Sequence, residues 1–270
     1  MLFIALTFAV FGSIIGSFLN VVVLRKGVAS LAGRSACPSC GHIIYWYDNI
    51  PIFSWLILRG RCRYCGSRIS IQYPLVEALT AILFMLVGAA AYPAFLLSSY
   101  DALVLLVELI IVSLLIVITV YDIRHTIIPD EWSYAFSLLA LLLMLAVSPT
   151  VSTLIAGPIA AMPLFFLWLI SRGRWMGLGD PKLALGIGWL LGFPLGVVAI
   201  FFSFILGTLV LIPVLFYERL VTHKPEGGVK DSGLTMKSEV PFGPFLIASC
   251  LIFWVLGLYG VEIPLYLLGL

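Results

Sequence analysis

"ALVLLVELIIVSLLIVITVYDIRHTIIPD", residues Ala102 to Asp130, decides what kind of molecule this chain makes. The run from Ala102 to Tyr121 is long and apolar enough to cross a bilayer core, which takes about 20 apolar residues as a helix. It then meets Asp122, Arg124 and His125, so the span ends in charge. Outward from this stretch the rest of the chain reads the same way. It has 270 residues, 62% of them hydrophobic and only 10% charged, with a mean hydropathy of +1.16. Soluble domains carry about 25% charged residues. A globular core cannot absorb so much apolar surface but a bilayer can, which excludes a soluble enzyme and predicts an all-α polytopic membrane protein.

Length and hydropathy predict about eight transmembrane helices, near 2–24, 75–97, 102–121, 131–147, 151–171, 181–191, 194–217 and 243–268. The sixth is short, and Gly192-Phe193-Pro194 is its one break from the seventh. Basic residues follow the first apolar run and none precede it, whereas a secretory signal carries its charge ahead; a retained first helix is expected. With the N-terminus outside, all 15 Lys and Arg fall on cytoplasmic segments, as the positive-inside rule requires. The predicted organisation is a first helix (1–24), a cytoplasmic loop domain (25–74) and a membrane core (75–270). A second polar loop, Glu218 to Glu239, contains Gly227-Gly228, lacks apolar periodicity and is expected to be mobile.

Four of the 5 cysteines form a C-x-x-C pair of pairs, Cys37, Cys40, Cys62 and Cys65. Two such knuckles supply four thiolates at tetrahedral reach and predict a structural Zn²⁺ in a ribbon-like insertion. The alternatives are two disulfides or unpartnered thiols, and a cytoplasmic loop argues against disulfides. Cys250 reads as a small buried hydrophobe. Arg59, Arg61, Arg63 and Arg68 read as anchors to membrane lipid on the positive side, so no nucleic acid is expected as a partner.

Acids in spans are costly, and each is a functional candidate. There are four: Glu77, Glu108, Asp122 and Asp180. The topology puts Asp122 and Asp180 at one depth on one side. Two carboxylates in close approach cannot both ionise readily. One can activate water while its protonated partner polarises a peptide carbonyl, which is aspartic-protease chemistry. Helix capping is the structural alternative. It suits Asp180, just ahead of a predicted helix start, and fails for Asp122, whose charge opposes the dipole of a helix C-terminus. Asp130 and Glu131 fit a first helical turn. Glu77 reads equally as the partner of a base or as a substrate contact, and Glu108 as a polar helix-packing contact. His42, His125 and His223 do not cluster, though His125 is close enough in sequence to assist Asp122. The same acids also fit a proton-coupled transporter, or a zinc-ribbon scaffold in which they only hold helices together.

Five segments in order resemble the bacterial type IV prepilin peptidases: "GSFLNVVVLR" (Gly16–Arg25), "CPSCGHIIYWYDNIPIFSWLILRGRCRYCGSRISIQYPLVE" (Cys37–Glu77), "YDIRHTIIPD" (Tyr121–Asp130), "GLGDPKL" (Gly177–Leu183) and "PFGPFL" (Pro241–Leu246). The resemblance implies an eight-span GxGD aspartic intramembrane protease of the bacterial inner membrane, with Asp122 and Asp180 as its catalytic pair. It implies substrates that are type IV prepilins or type II secretion pseudopilins, cut on the cytoplasmic face after a glycine. It also implies N-methylation of the new N-terminal residue, often Phe, with S-adenosylmethionine as donor. The residues binding that donor are unknown from the sequence, because no Gly-rich nucleotide loop lies between a strand and a helix. Pro181 and Gln72 depart from the family's usual residues and touch neither the aspartates nor the cysteines.

Overall fold

The computed structural model describes residues 2–28, 30, 33–95, 98–221 and 240–261. Nine α-helices form among them: α1 (Leu2–Arg25), α2 (Phe53–Ile57), α3 (Gln72–Phe95), α4 (Ser99–His125), α5 (Asp130–Val147), α6 (Val151–Ser171), α7 (Gly179–Leu191), α8 (Leu195–Val221) and α9 (Gly243–Leu258). Apart from α2, these are the eight expected apolar helices in the expected order. Six are long and apolar enough to cross a membrane: Leu2–Arg25, Gln72–Ala91, Ser99–His125, Asp130–Val147, Val151–Ser171 and Leu195–Val214. The other two, α7 and α9, are shorter. The chain is an all-α, multi-pass membrane protein. Positions 222–239 of the second polar loop and 262–268 of the last expected span lie outside the described residues.

The chain divides into two compact units, one comprising the residues up to Val120 with Leu258–Val261, the other Tyr121–Gly257. In the first unit α1 packs along α3, and two glycines set the spacing. A Cβ on Gly12 would lie 2.7 Å from the Thr80 carbonyl, and one on Gly16 would lie 2.8 Å from Glu77 Cα. Small residues four apart let helix backbones meet closely in a bilayer, where apolar surface alone gives no drive to associate. Below this contact, buried Asn20 on α1 donates to the Tyr73 carbonyl (3.3 Å) and accepts from Gln72 Nε2 (3.3 Å), fixing the first turn of α3.

In the second unit α7 is the central helix and packs on α5, α6 and α8. Eight of its 13 residues are buried, including Leu183, Ala184, Gly186, Ile187 and Gly188. Gly188 faces the Ala156 carbonyl and Gly157 of α6, while Gly157 in turn receives the Trp189 ring. At 13 residues α7 is about 20 Å long, too short for a lone span. Sheathing by its neighbours explains why a short, glycine-rich segment is helical. The helix begins at Gly179 with Leu178 as its N-cap and no capping side chain. The capping alternative for Asp180 therefore finds no hydrogen bond to support it. The first turn starts two residues earlier than the hydropathy indicated, since glycine and aspartate carry no apolar signal, and Asp180 lies inside it.

Candidate metal centre and active site

In the first unit, the loop between α1 and α3 builds two matching knuckles. Cys37 N–H donates to the His42 carbonyl (2.9 Å) and Gly41 N–H to the Cys37 carbonyl (2.9 Å). Cys62 N–H donates to the Ser67 carbonyl (2.8 Å) and Gly66 N–H to the Cys62 carbonyl (3.0 Å). Gly41 and Gly66 have φ of 69° and 70°, the left-handed conformation that closes each turn and that glycine adopts without a Cβ penalty. One antiparallel bridge flanks each knuckle, Ala36 with Ile43 and Arg61 with Arg68. The four Sγ atoms lie within 4.8 Å of one another, Cys37 and Cys65 at 3.8 Å, and no disulfide joins them.

Four thiolates around a tetrahedral zinc, with Zn–S of about 2.3 Å, stand about 3.8 Å apart, so the cluster fits such an ion. Its chemistry fits as well. Hydrogen bonds from the Cys40 N–H, the Ser67 hydroxyl and the Ser39 N–H pull the Cys37 thiol down to about 6. The Ser67 hydroxyl and N–H also lower that of Cys65. At Cys40 the His42 N–H favours the thiolate, but desolvation and the neighbouring Cys65 and Cys37 outweigh it and push the thiol up to about 11. Such crowding of negative charge is what a cation relieves. These four cysteines can hold a metal ion.

Glu77, one turn into α3, is buried and accepts the Ile52 N–H at 2.6 Å. Ile52 has φ 64°, and it is the residue immediately before α2. The bond ties the cysteine loop to the helix pair beneath it. Neither of the roles expected for Glu77, a basic partner or a substrate contact, includes this backbone clamp. Glu108 is also buried, and it lines a cavity of about 170 Å³ with Ala90, Ala91, Asp101, Val104 and Leu258. It makes no hydrogen bond among the described residues.

The aspartates lie in the second unit. Asp122 is in the last turn of α4 and only 3% exposed; Asp180 is in the first turn of α7 and 8% exposed. Ile128, in the link between α4 and α5, is the wedge that relates them. A Cβ on Gly179 would come within 2.9 Å of Ile128 Cβ. One on Gly243 would come within 3.1 Å of Ile128 Cδ1 and 2.6 Å of Asp122 Oδ2. Gly179 precedes Asp180, so one isoleucine side chain separates the glycine beside Asp180 from the glycine against Asp122. The Gly243 N–H, at the start of α9, donates to Asp122 Oδ2 at 3.1 Å. This hydrogen bond orients one oxygen of a buried carboxylate. Asp180 accepts no hydrogen bond from the described residues, and the charge of Asp122 acts on it.

Surrounding contacts hold the two helix ends in register. Lys182 Nζ bonds Asp130 Oδ1 at 2.7 Å, joining the first turns of α7 and α5, and Ser137 Oγ reaches the Lys182 carbonyl at 3.3 Å. Asp130 thus does structural work, in keeping with its place in a first helical turn. His125 is exposed and contacts the Tyr121 ring, with centroids 4.4 Å apart. His223 lies outside the described residues. Sequence reasoning did not find the part of Gly243 or of Ile128. "PFGPFL" was conspicuous only as a motif, and nothing local to it points at an acid more than a hundred positions away.

The family model described as "Bacterial Peptidase A24 N-terminal domain" matches residues 10–91, and that described as "Type IV leader peptidase family" matches residues 109–212. The chain belongs to the type IV leader peptidase family. Three relatives named "Prepilin leader peptidase/N-methyltransferase" illustrate the likeness. That of Pectobacterium carotovorum is 35% identical over 213 residues, covering 68% of this chain and 74% of the relative. That of Bacillus subtilis is 33% identical over 256 residues, 92% of each chain. That of Myxococcus xanthus is 46% identical over 128 residues, 45% of this chain and 36% of the relative. No solved structure matches the chain. The cysteine loop falls within the first matched region of the family, and both aspartates within the second.

Proposed function

We infer that this enzyme cleaves the leader from prepilins and N-methylates the new N-terminus, with Asp122 and Asp180 as its catalytic pair. One observation carries the proteolytic half. Two buried acids lie at helix ends far apart in sequence, and the glycine that precedes Asp180 and the glycine that bonds Asp122 both abut Ile128, in a chain of the leader peptidase family. A buried acid is expensive in a membrane protein, and two that share one site have a use beyond packing. The family favours this reading over a proton-coupled transporter or a scaffold.

The chemistry follows from two carboxylates sharing one proton. The ionised aspartate takes a proton from water as the water oxygen attacks the scissile carbonyl carbon. The protonated aspartate gives its proton to the carbonyl oxygen. The resulting diol collapses as the first aspartate passes its proton to the leaving amide nitrogen and the second recovers one from the diol hydroxyl. The Gly243 N–H holds Asp122 in place for both transfers, and Gly177, where a Cβ would meet nothing nearer than the Gly179 nitrogen at 3.9 Å, lets an extended substrate backbone approach.

The positive-inside distribution supports an N-terminus outside, with the cysteine loop and the aspartates at the cytoplasmic face of the inner membrane. A basic leader is drawn to that anionic surface, while the apolar pilin helix stays in the bilayer. Type IV prepilins or secretion pseudopilins are the substrate class. The metal held by Cys37, Cys40, Cys62 and Cys65 is zinc; when bound it cross-links two knuckles of a loop too small for a core of its own. N-methylation is supported by the relatives' names, with S-adenosylmethionine as the donor, and no step is assigned to particular residues. The experiment is incubation of the purified enzyme with a prepilin, with and without S-adenosylmethionine, read by mass spectrometry. Leader loss in both samples, and a methyl group only where the donor is present, is expected. An intact prepilin overturns the reading.

A further inference from the structure

We propose that Phe53, Leu56 and Ile57 on α2 form a membrane-docking face that seats the cysteine loop in the lipid leaflet where α1 ends and α3 begins. The three side chains recur at helical spacing on one side of α2 and are 65%, 57% and 74% exposed. The other side of α2 is already satisfied. Ser54 is buried and its hydroxyl donates to the Tyr47 carbonyl at 3.1 Å. Trp55 donates from Nε1 to the Ile69 carbonyl at 3.2 Å, and its ring lies so close under Gly60 that a Cβ there would meet it at 2.8 Å. The apolar trio is therefore what remains after the loop has folded on itself.

Depth identifies the occupant. Ile52, the residue immediately before α2, is bonded through its N–H to Glu77, and Glu77 lies within the apolar stretch Gln72–Ala91. Five residues into α3, it sits about 7.5 Å past the helix start, inside the interface between headgroups and acyl chains. Exposed Ile71 and Leu75 on the same helix end continue the apolar surface. Charge points the same way. Between Arg25 and Pro74 the one acid is Asp48, and it is taken up by Arg63. Arg59, Arg61 and Arg68 are exposed beside α2 and in the hairpin that follows. An apolar helical face flanked by arginines is the composition of an interfacial helix on an anionic leaflet. The Ile52–Glu77 hydrogen bond is then the tether that holds α2 at that level.

The proposal rests on the orientation inferred above only for calling that leaflet the cytoplasmic one. In the test, benzoylphenylalanine replaces Ile57 in the full-length protein, which is reconstituted in phosphatidylethanolamine/phosphatidylglycerol vesicles and irradiated. The same probe at Leu79, an exposed position of α3, reports bilayer contact. Mass spectrometry is expected to find lipid adducts at both positions. Adducts at Leu79 with none at Ile57 overturn the proposal, as does an Ile57 adduct to this chain or to a second protein. Prepilin cleavage is measured on the same vesicles. Lost cleavage with lipid adducts intact speaks against the catalytic reading and not against the docking face.

Discussion

Replacing Gly243 by alanine tests how the active site is held, because the damage is calculable from the structure. The new Cβ would sit 2.6 Å from Asp122 Oδ2 and 3.1 Å from Ile128 Cδ1, where ordinary contact begins at 3.4 Å. The carboxylate has to retreat by about 0.8 Å, and an error of about 1 Å in a catalytic group costs on the order of 100-fold in rate. That is about 2.7 kcal/mol of transition-state stabilisation. Overpacking adds a folding cost of about 1–3 kcal/mol, so activity is referred to the folded fraction. Gly257→Ala is the matched control: it lies in the same helix, and a Cβ there meets nothing within 4 Å. The assay is the initial rate of prepilin cleavage by purified protein, beside a thermal melt. Gly243→Ala is expected to lose about two orders of magnitude in kcat, and Gly257→Ala to cleave normally. Near-normal cleavage by Gly243→Ala, or an equal loss in Gly257→Ala, refutes the claim that the close approach of Gly243 fixes the position of the Asp122 carboxyl group.

Other consequences follow from the same geometry. Elemental analysis of freshly purified protein should find one zinc per chain, and Cys62→Ser should lose it; metal-free protein with four reactive thiols contradicts the four-thiolate site. Cys40→Ser should reduce methylation far more than cleavage, because the cysteines and the aspartates lie in different compact units; equal loss of both shows the activities are not separable in this way. Gly188→Ala would force a Cβ to within 2.6 Å of the Ala156 carbonyl, which the backbone of α6 cannot yield. Its melting temperature should fall in line with an overpacking cost of about 1–3 kcal/mol, and an unchanged melt contradicts the close packing of α7.

Much of this was legible in the sequence because its physics is local. Apolar runs marked eight helices, Cys-x-x-Cys spacing marked the knuckles, and the cost of buried charge nominated Asp122 and Asp180 together with Glu77 and Glu108. What escaped is non-local or below the resolution of hydropathy. The start of α7 was misjudged because Gly179 and Asp180 contribute nothing to an apolar run, although both are helical in the folded chain. The Glu77–Ile52 bond is a side chain meeting a backbone N–H across a fold, and no residue type announces a backbone donor. Gly243 against Asp122 and Ile128 is a relation among three segments of sequence, visible only when α4, the link from α4 to α5 and α9 are in place. α2 was hidden by its length, since five residues give too few periods to read.

The most direct test of the central claim is prepilin cleavage by Asp122→Asn, by Asp180→Asn and by the double variant, each purified and shown by elemental analysis to hold as much metal as the unaltered protein. Asparagine keeps the shape of the side chain and removes its acid, so folding and metal binding should survive. Members of one catalytic unit are not additive. Each single variant should therefore be inactive, and the double variant no worse than either. Substantial cleavage by Asp122→Asn or by Asp180→Asn would contradict the account.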